Sequence, residues 1–73
     1  MKLHKGIYRH FKGKLYEIID FVTHSETEEE LVLYRSLNGK VDLWVRPIAM
    51  FHEVVEINGE KLPRFEFIKR SNE

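Results

Sequence analysis

Leu43-Trp44-Val45-Arg46-Pro47 contains the only tryptophan of the chain and an arginine two residues after it. Side chains two apart share a face of an extended strand, so Trp44 and Arg46 would point one way and Leu43 and Val45 the other. Pro47 has no N–H for a strand ladder, so the chain has to turn there. This stretch predicts a short strand with an apolar face and an aromatic, cationic face.

The residues after Pro47 predict one short helical turn, because proline is tolerated at the first helical position. Ile48 and Phe51 are three residues apart, so both can point into a core from such a turn. Residues 54–57 are rich in β-formers and are followed by Asn58-Gly59, a strong hairpin signal. The second half of the chain therefore predicts a helical turn and then short strands.

The first half predicts strands as well. Residues 7–11 form one candidate, and Lys12-Gly13 supplies a turn after it. Residues 15–22 are apolar on both faces, which favours a strand that is bent by a β-bulge.

Residues 31–37 allow two interpretations. Leu31, Tyr34 and Leu37 recur at nearly helical intervals, and a helix could be capped at Asn38-Gly39. The rival interpretation alternates inward and outward side chains and turns at the same Asn-Gly pair. The run Leu-Val-Leu-Tyr favours the strand.

Composition limits the classes of protein that fit. The chain has 73 residues, no cysteine and nine aromatic residues (five Phe, three Tyr, one Trp), so packing must replace disulfides and thiolate metal sites. We expect a single small domain over residues 1–73 with an ordered core from about 6 to 68. No apolar run could span a bilayer and no signal peptide is evident, so we expect a cytoplasmic protein that does not enter membranes.

Charge is balanced overall but unevenly distributed. Twelve acidic and twelve basic residues give a net charge of zero. Residues 2–14 contain five basic and no acidic residues, and residues 17–30 contain six acidic residues and no Lys or Arg. The neutral total gives no strong reason to expect a polyanionic partner.

These features together predict a mainly β protein. Five or six short strands, closely spaced glycine turns and one helical turn after Pro47 are typical of a small, strongly bent, SH3-like barrel. Closure of the barrel would also hide strand edges, which a chain with this β-propensity needs.

The chain resembles a bacterial family known as domain of unknown function 1653, over residues from about 6 to 68. The resemblance rests on Tyr8-Arg9-His10-Phe11-Lys12-Gly13, His24-Ser25-Glu26-Thr27-Glu28-Glu29-Glu30-Leu31-Val32, Tyr34-Arg35, Leu43-Trp44-Val45-Arg46-Pro47 with Phe51, and Gly59 followed by Pro63-Arg64-Phe65. It implies a small β-barrel and a strand at 31–37, and it brings no activity, cofactor or catalytic residue. Members tend to have aromatic residues near the turn where this chain has Asn38 and Val41.

Enzymatic chemistry has one candidate set. His24, Glu26 and His10 could serve a small hydrolytic or metal-dependent enzyme if the loop and the first strand converged. No histidine pair has a recognised metal-ligand spacing and no phosphate-binding glycine loop is present, so we expect no cofactor. Hydrogen bonds that anchor a hairpin loop are the better explanation of His24.

Binding has the stronger candidate set. Trp44 and Arg46 share a strand face and could combine with other aromatic and basic side chains, the full set being Tyr8, His10, Tyr34, Trp44, Arg46 and Arg64, with the loop of His24 and Glu26 at its rim. Such surfaces bind peptides or single-stranded nucleic acid. The alternative is that Trp44 fills the core and that Arg46 either stacks on an aromatic ring or pairs with an acidic residue such as Glu17 or Asp20.

We therefore predict a non-catalytic recognition module for a protein or peptide, with single-stranded nucleic acid as the other ligand class. The oligomeric state leaves no trace in the sequence.

Overall fold

The structure, a computed structural model, describes residues 3–39 and 42–71. The elements in this part of the chain are β1 (Gly6–His10), β2 (Leu15–Thr23), β3 (Glu30–Ser36), β4 (Leu43–Pro47), a 3-10 helix (Ile48–Phe51), β5 (Val54–Ile57), β6 (Glu60–Pro63) and β7 (Phe65–Lys69). The predicted mainly β class is confirmed. No helix in the described ranges is long and apolar enough to cross a membrane.

The strands form two antiparallel sheets. The larger has the order β4-β3-β2-β1-β7, and the smaller contains β5 and β6. β4 and β7 are the two edges of the larger sheet and share no ladder, so the sheet is not closed and the predicted closure into a barrel is wrong. β5 and β6 pair only with each other among the described strands, through a local hairpin.

That hairpin has a clear local cause. Asn58 and Gly59 connect β5 to β6 and both have positive φ, 50° and 82°. A two-residue type I′ turn requires positive φ at both central positions, and Asn-Gly is the pair that best satisfies it. The predicted turn is confirmed, and it joins β5 and β6 into an antiparallel hairpin.

β2 is bent by the predicted bulge. Its register against β3 shifts between Ile18 and Asp20, so that Ile18 pairs with Tyr34 and Asp20 pairs with Leu33. Because one residue is skipped, Ile18 before the bulge and Phe21 after it both pack in the core.

The structure confirms the strand interpretation of residues 31–37. β3 covers Glu30–Ser36 and pairs with both β2 and β4. The connection to β4 is longer than a two-residue turn. The Oδ1 of Asn38 accepts a 3.0 Å hydrogen bond from the N–H of Leu15, which ties this connection to the start of β2. Val41, one of the two turn positions noted in the sequence, lies outside the described residues.

The core is mostly aromatic. Its buried members are Tyr8, Ile18, Val32, Tyr34, Phe51 and Phe65. Phe51 stacks on Phe65 with ring centroids 4.3 Å apart and meets Tyr34 edge-on at 5.4 Å. The 3-10 helix after Pro47 carries Phe51 into the core and packs Ile48 against it, as the spacing predicted.

Candidate ligand-binding cleft

An open cleft of about 630 Å³ lies across the larger sheet, at the gap that barrel closure would have filled. All five strands of that sheet contribute to its lining. The lining residues are His10, Tyr16, Tyr34, Leu43, Trp44, Val45, Arg46, Arg64 and Phe65. Because both edge strands line the same cleft, the sheet is curled enough to bring its edges face to face without hydrogen-bonding them.

Arg46 is held in this cleft by a core residue. Its Nε donates a 2.7 Å hydrogen bond to the hydroxyl of Tyr34, whose ring is almost fully buried. No acidic side chain in the described part of the chain lies within ion-pair distance of Arg46. The two terminal amino groups of the guanidinium therefore retain hydrogen-bond donors for a ligand.

The acidic residues that might have paired with Arg46 have other partners. Glu17 accepts from Arg35, with an Nη2–Oε1 distance of 2.7 Å, and Asp20 lies 3.3 Å from the Nζ of Lys5. The alternative in which Arg46 closes the sheet through an ion pair is therefore wrong. A hydrogen bond from Ser71, opposed by burial and reinforced by Arg35, lowers the pKa of Glu17.

Trp44 is not a core residue. It is 45% exposed and meets Tyr34 edge-on, with ring centroids 5.8 Å apart. Its neighbours Leu43 and Val45 are 61% and 53% exposed, so the apolar face of β4 also lies outside the core. β4 thus presents both of its faces to solvent.

Arg64 reaches the cleft from the residue between β6 and β7. Its backbone is fixed on both sides, since its N–H donates to the carbonyl oxygen of Glu53 at 2.9 Å and its own carbonyl accepts from Phe11 at 3.0 Å. The Nε of Arg64 lies 3.5 Å from a carboxylate oxygen of Glu53 but makes no hydrogen bond with a described residue. Its positive charge is therefore only partly neutralised.

His10 lies among these cations. Its ring is half-buried and meets Phe65 edge-on at 5.0 Å. Burial is the main cause that lowers the pKa of His10, and the charges of Arg64, Lys12 and Arg46 lower it further. Its Nδ1 accepts a 3.1 Å hydrogen bond from the N–H of Lys12, so the neutral ring carries its proton on Nε2. The cleft is therefore a site of positive potential.

Tyr8 lies elsewhere than predicted. It is buried in the core, where its hydroxyl donates a 2.7 Å hydrogen bond to the carbonyl oxygen of His4. Burial raises the pKa of this phenol. Tyr8 lines a separate cavity of about 390 Å³, together with Phe67 and Leu3.

His24 and Glu26 lie in the loop between β2 and β3, away from the cleft. The Nδ1 of His24 accepts hydrogen bonds from the N–H groups of Glu26 and Thr27, at 3.1 and 3.3 Å. This is the loop-anchoring role that the sequence favoured for His24.

The residues of the enzyme alternative are not brought together. His10 precedes β2 and His24 follows it, and a nine-residue strand separates them by roughly 26 Å along its axis. Within residues 3–39 and 42–71, no group of three or more His, Cys, Asp or Glu side chains could hold a metal ion.

Tyr16, Phe65, Leu43 and Val45 line the cleft but were not predicted as site residues. Leu43 and Val45 could have been found from their position beside Trp44. Tyr16 and Phe65 have no comparable local signal, because only the curl of the sheet brings them to the same cleft.

The fold and cleft define a small, mainly β protein built on an open antiparallel sheet. A family profile described as "Protein of unknown function (DUF1653)" matches residues 6–67, and the chain belongs to this family. The structure is similar to a crystal structure of a DUF1653 protein from Bordetella bronchiseptica, with a TM-score of 0.85 and 27% sequence identity, over 94% of this chain and 91% of that chain. No curated protein matches the sequence.

Proposed function

We propose that the protein is a non-catalytic recognition module that binds a peptide or a segment of another protein in the cleft between β4 and β7. The observation that carries this proposal is the orientation of Arg46. A buried tyrosine holds its guanidinium, and its terminal amino groups have no acidic partner among the described residues. A cation that is already ordered loses less conformational entropy when a ligand binds.

The rest of the lining supports recognition by contact. Trp44 offers an exposed aromatic surface and Arg64 a second guanidinium, and the strand that carries Trp44 also borders the cleft at Leu43 and Val45. Combined aromatic and charged grooves of this kind bind peptides in other small β proteins. The cleft volume of about 630 Å³ also lies within the range of ligand sites.

The lining residues also lack the groups that most catalysis requires. They include no Ser, Thr, Cys, Lys, Asp or Glu, so His10 has no alcohol or thiol nucleophile of the Ser, Thr or Cys type and no carboxylate beside it in the described cleft. This composition supports binding over covalent or acid–base catalysis.

Single-stranded nucleic acid is the competing ligand class, because bases stack on exposed tryptophan beside arginine. Zero net charge argues for peptide, since nucleic-acid affinity comes largely from an excess of positive charge.

The proposal can be tested with a lysate pull-down. The baits are the wild type, an Arg46→Ala, Arg64→Ala double variant, and an Arg9→Ala, Arg70→Ala control that removes the same charge from exposed positions outside the cleft. Circular dichroism verifies that each bait is folded, and bound protein and nucleic acid are both identified.

We expect a protein partner that the wild type and the control retain and the cleft variant loses. Nucleic acid with the same pattern would overturn the peptide assignment. Identical material on all three baits would overturn the cleft as the binding site.

A further inference from the structure

β4 is an edge strand whose second side is open. It pairs with β3, and no other described strand pairs with it. Every second residue of an edge strand turns its N–H and C=O groups away from the sheet, where they can pair with another strand.

The first three residues of this edge, Leu43–Val45, also lack the usual protection. Proteins blunt edge strands with charged side chains, bulges or proline. β7, the opposite edge, contains Glu66 and Lys69, whereas the run Leu43–Val45 of β4 is uncharged and exposed, and Pro47 stands only at its end. The less protected of the two edges is therefore the one that carries Trp44 and Arg46.

The side chains of β4 specify the pattern of a strand that would pair with it. Trp44 lies opposite Tyr34, on the face that points to the cleft, and Val45 lies opposite Leu33, on the other face. An added strand alternates in the same way. Its side chains on one face would meet the guanidinium of Arg46, and those on the other would meet exposed apolar residues.

The charges around the cleft indicate that the side chains of the added strand are acidic. The cations facing His10 are Arg46, Arg64 and Lys12, and the described carboxylate beside them, Glu53, lies against Arg64. Arg46 retains free donors in the fork geometry that suits a carboxylate. The main-chain edge favours a peptide over any other anion, because only a polypeptide supplies matching N–H and C=O groups.

On the basis of the proposed function, we propose that the ligand is an extended peptide of alternating acidic and apolar residues, which pairs with the free edge of β4 as a sixth strand. Its carboxylates bind Arg46 and, further into the cleft, Arg64. Its apolar side chains cover Leu43 and Val45.

The probe is a blocked heptapeptide with valine at its odd positions and glutamate at its even positions. Three peptides serve as controls: one with lysine in place of glutamate, and two with backbone N-methyl groups, on the odd residues in one and on the even residues in the other. Affinity is measured by titration of Trp44 fluorescence, and hydrogen exchange of the β4 amides is followed by NMR.

We expect the glutamate peptide to bind about tenfold or more tightly than the lysine peptide, and Arg46→Ala to weaken it by about the same factor. An added strand offers one edge to β4, so one N-methylated peptide should bind like the parent and the other about tenfold more weakly. Amides of β4 should gain protection from exchange in the complex.

Two results would overturn strand addition. One is equal affinity of both N-methylated peptides without new protection of β4 amides. The other is failure of the glutamate peptide to bind while the wild-type bait still captures a protein that the cleft variant loses. Both results would leave the proposed function standing, because that function is tested by the pull-down and fails if the cleft variant retains the wild type's partners or if the captured partner is nucleic acid.

Discussion

The Nε of Arg46 lies 2.7 Å from the hydroxyl of Tyr34, a residue that is only 4% exposed. The partner of this surface cation is therefore part of the hydrophobic core. Packing of the Tyr34 ring against Phe51 fixes the phenol, and the phenol fixes the guanidinium. Core stability and the geometry of the cleft are coupled through one hydrogen bond.

Tyr34→Phe tests this coupling, because it removes the hydroxyl and leaves the ring. We expect the free energy of unfolding to fall by about 1–2 kcal/mol, since the hydroxyl bonds to a charged group. Urea unfolding measures the change. Tyr16→Phe is the matched control, because the Tyr16 hydroxyl makes no hydrogen bond with any described residue. Equal losses in the two variants would contradict the role assigned to the Tyr34 hydroxyl.

Acidification should destabilise the protein through His10. Burial and the nearby cations hold its pKa in the folded state below the ordinary value of 6.5. The unfolded chain therefore binds a proton at higher pH than the folded chain. The contribution of His10 to stability is fully present above about pH 6.5 and is lost as the pH falls through the folded pKa.

An NMR titration of the His10 ring protons measures this shift directly. We expect a pKa below 6.5 in the wild type and a higher pKa in Arg64→Ala, since that variant removes the largest of the three charge effects. A wild-type pKa at or above 6.5 would show that the cleft lacks the positive potential described above.

Glu17 should also make stability depend on pH, in a more acidic range. Its hydrogen bond from Ser71 and its pairing with Arg35 outweigh burial and lower its pKa in the folded state below the ordinary 4.5. Its contribution is therefore present above about pH 4.5 and is lost as the pH falls through the folded pKa. Glu17→Gln should remove this dependence and reduce stability at pH 7 by up to about 1 kcal/mol.

The control for Glu17 is Glu66→Gln, because Glu66 pairs with Arg9 where both side chains are more than half exposed. Urea unfolding at a series of pH values from neutral to acidic compares the two variants. If Glu66→Gln changes the pH dependence as much as Glu17→Gln does, the assignment to Glu17 is wrong.

Gly6 is the glycine that we expect to tolerate substitution least. Its φ is +144°, and a Cβ at this position would collide with the carbonyl oxygen of Lys69 on β7. Gly13 has φ of +104°, and a Cβ there would meet nothing within 4 Å. Gly6→Ala should therefore lower the free energy of unfolding more than Gly13→Ala does. The loss in Gly13→Ala comes from backbone strain alone, which costs about 1–3 kcal/mol. Equal losses in urea unfolding would contradict close packing of β1 against β7 at Gly6.

Local signals in the sequence predicted most of the elements. The bulge in β2, the Asn58-Gly59 turn and the helical turn after Pro47 depend on neighbouring residues, so local patterns predicted them. The strand at β3 had a helical alternative, and the family resemblance supported the strand as well. Closure of the sheet depends on whether β5 and β6 pair with each other or with the outer strands. Those pairings join residues that are distant in the chain, so no local sequence pattern predicts which of them forms.

The candidate site was predicted where residues lie close in the chain or share a strand face. Trp44, Arg46 and Tyr34 lie together because β3 and β4 are adjacent. Tyr8 shares a strand face with His10 but lies further from the end of the sheet, where core packing covers it. Tyr8 and His10 differ in burial because they lie at different positions along β1. The alternation of faces along a strand does not reveal that difference.

The open gap between β4 and β7 affects how the protein can adapt to a ligand. In a closed barrel, backbone hydrogen bonds fix the separation of every pair of neighbouring strands. Here no ladder between described strands joins the two walls of the gap, β4 and β7. The cleft can therefore widen or narrow by repacking side chains, so ligands of different thickness can be accommodated while every strand keeps its pairing.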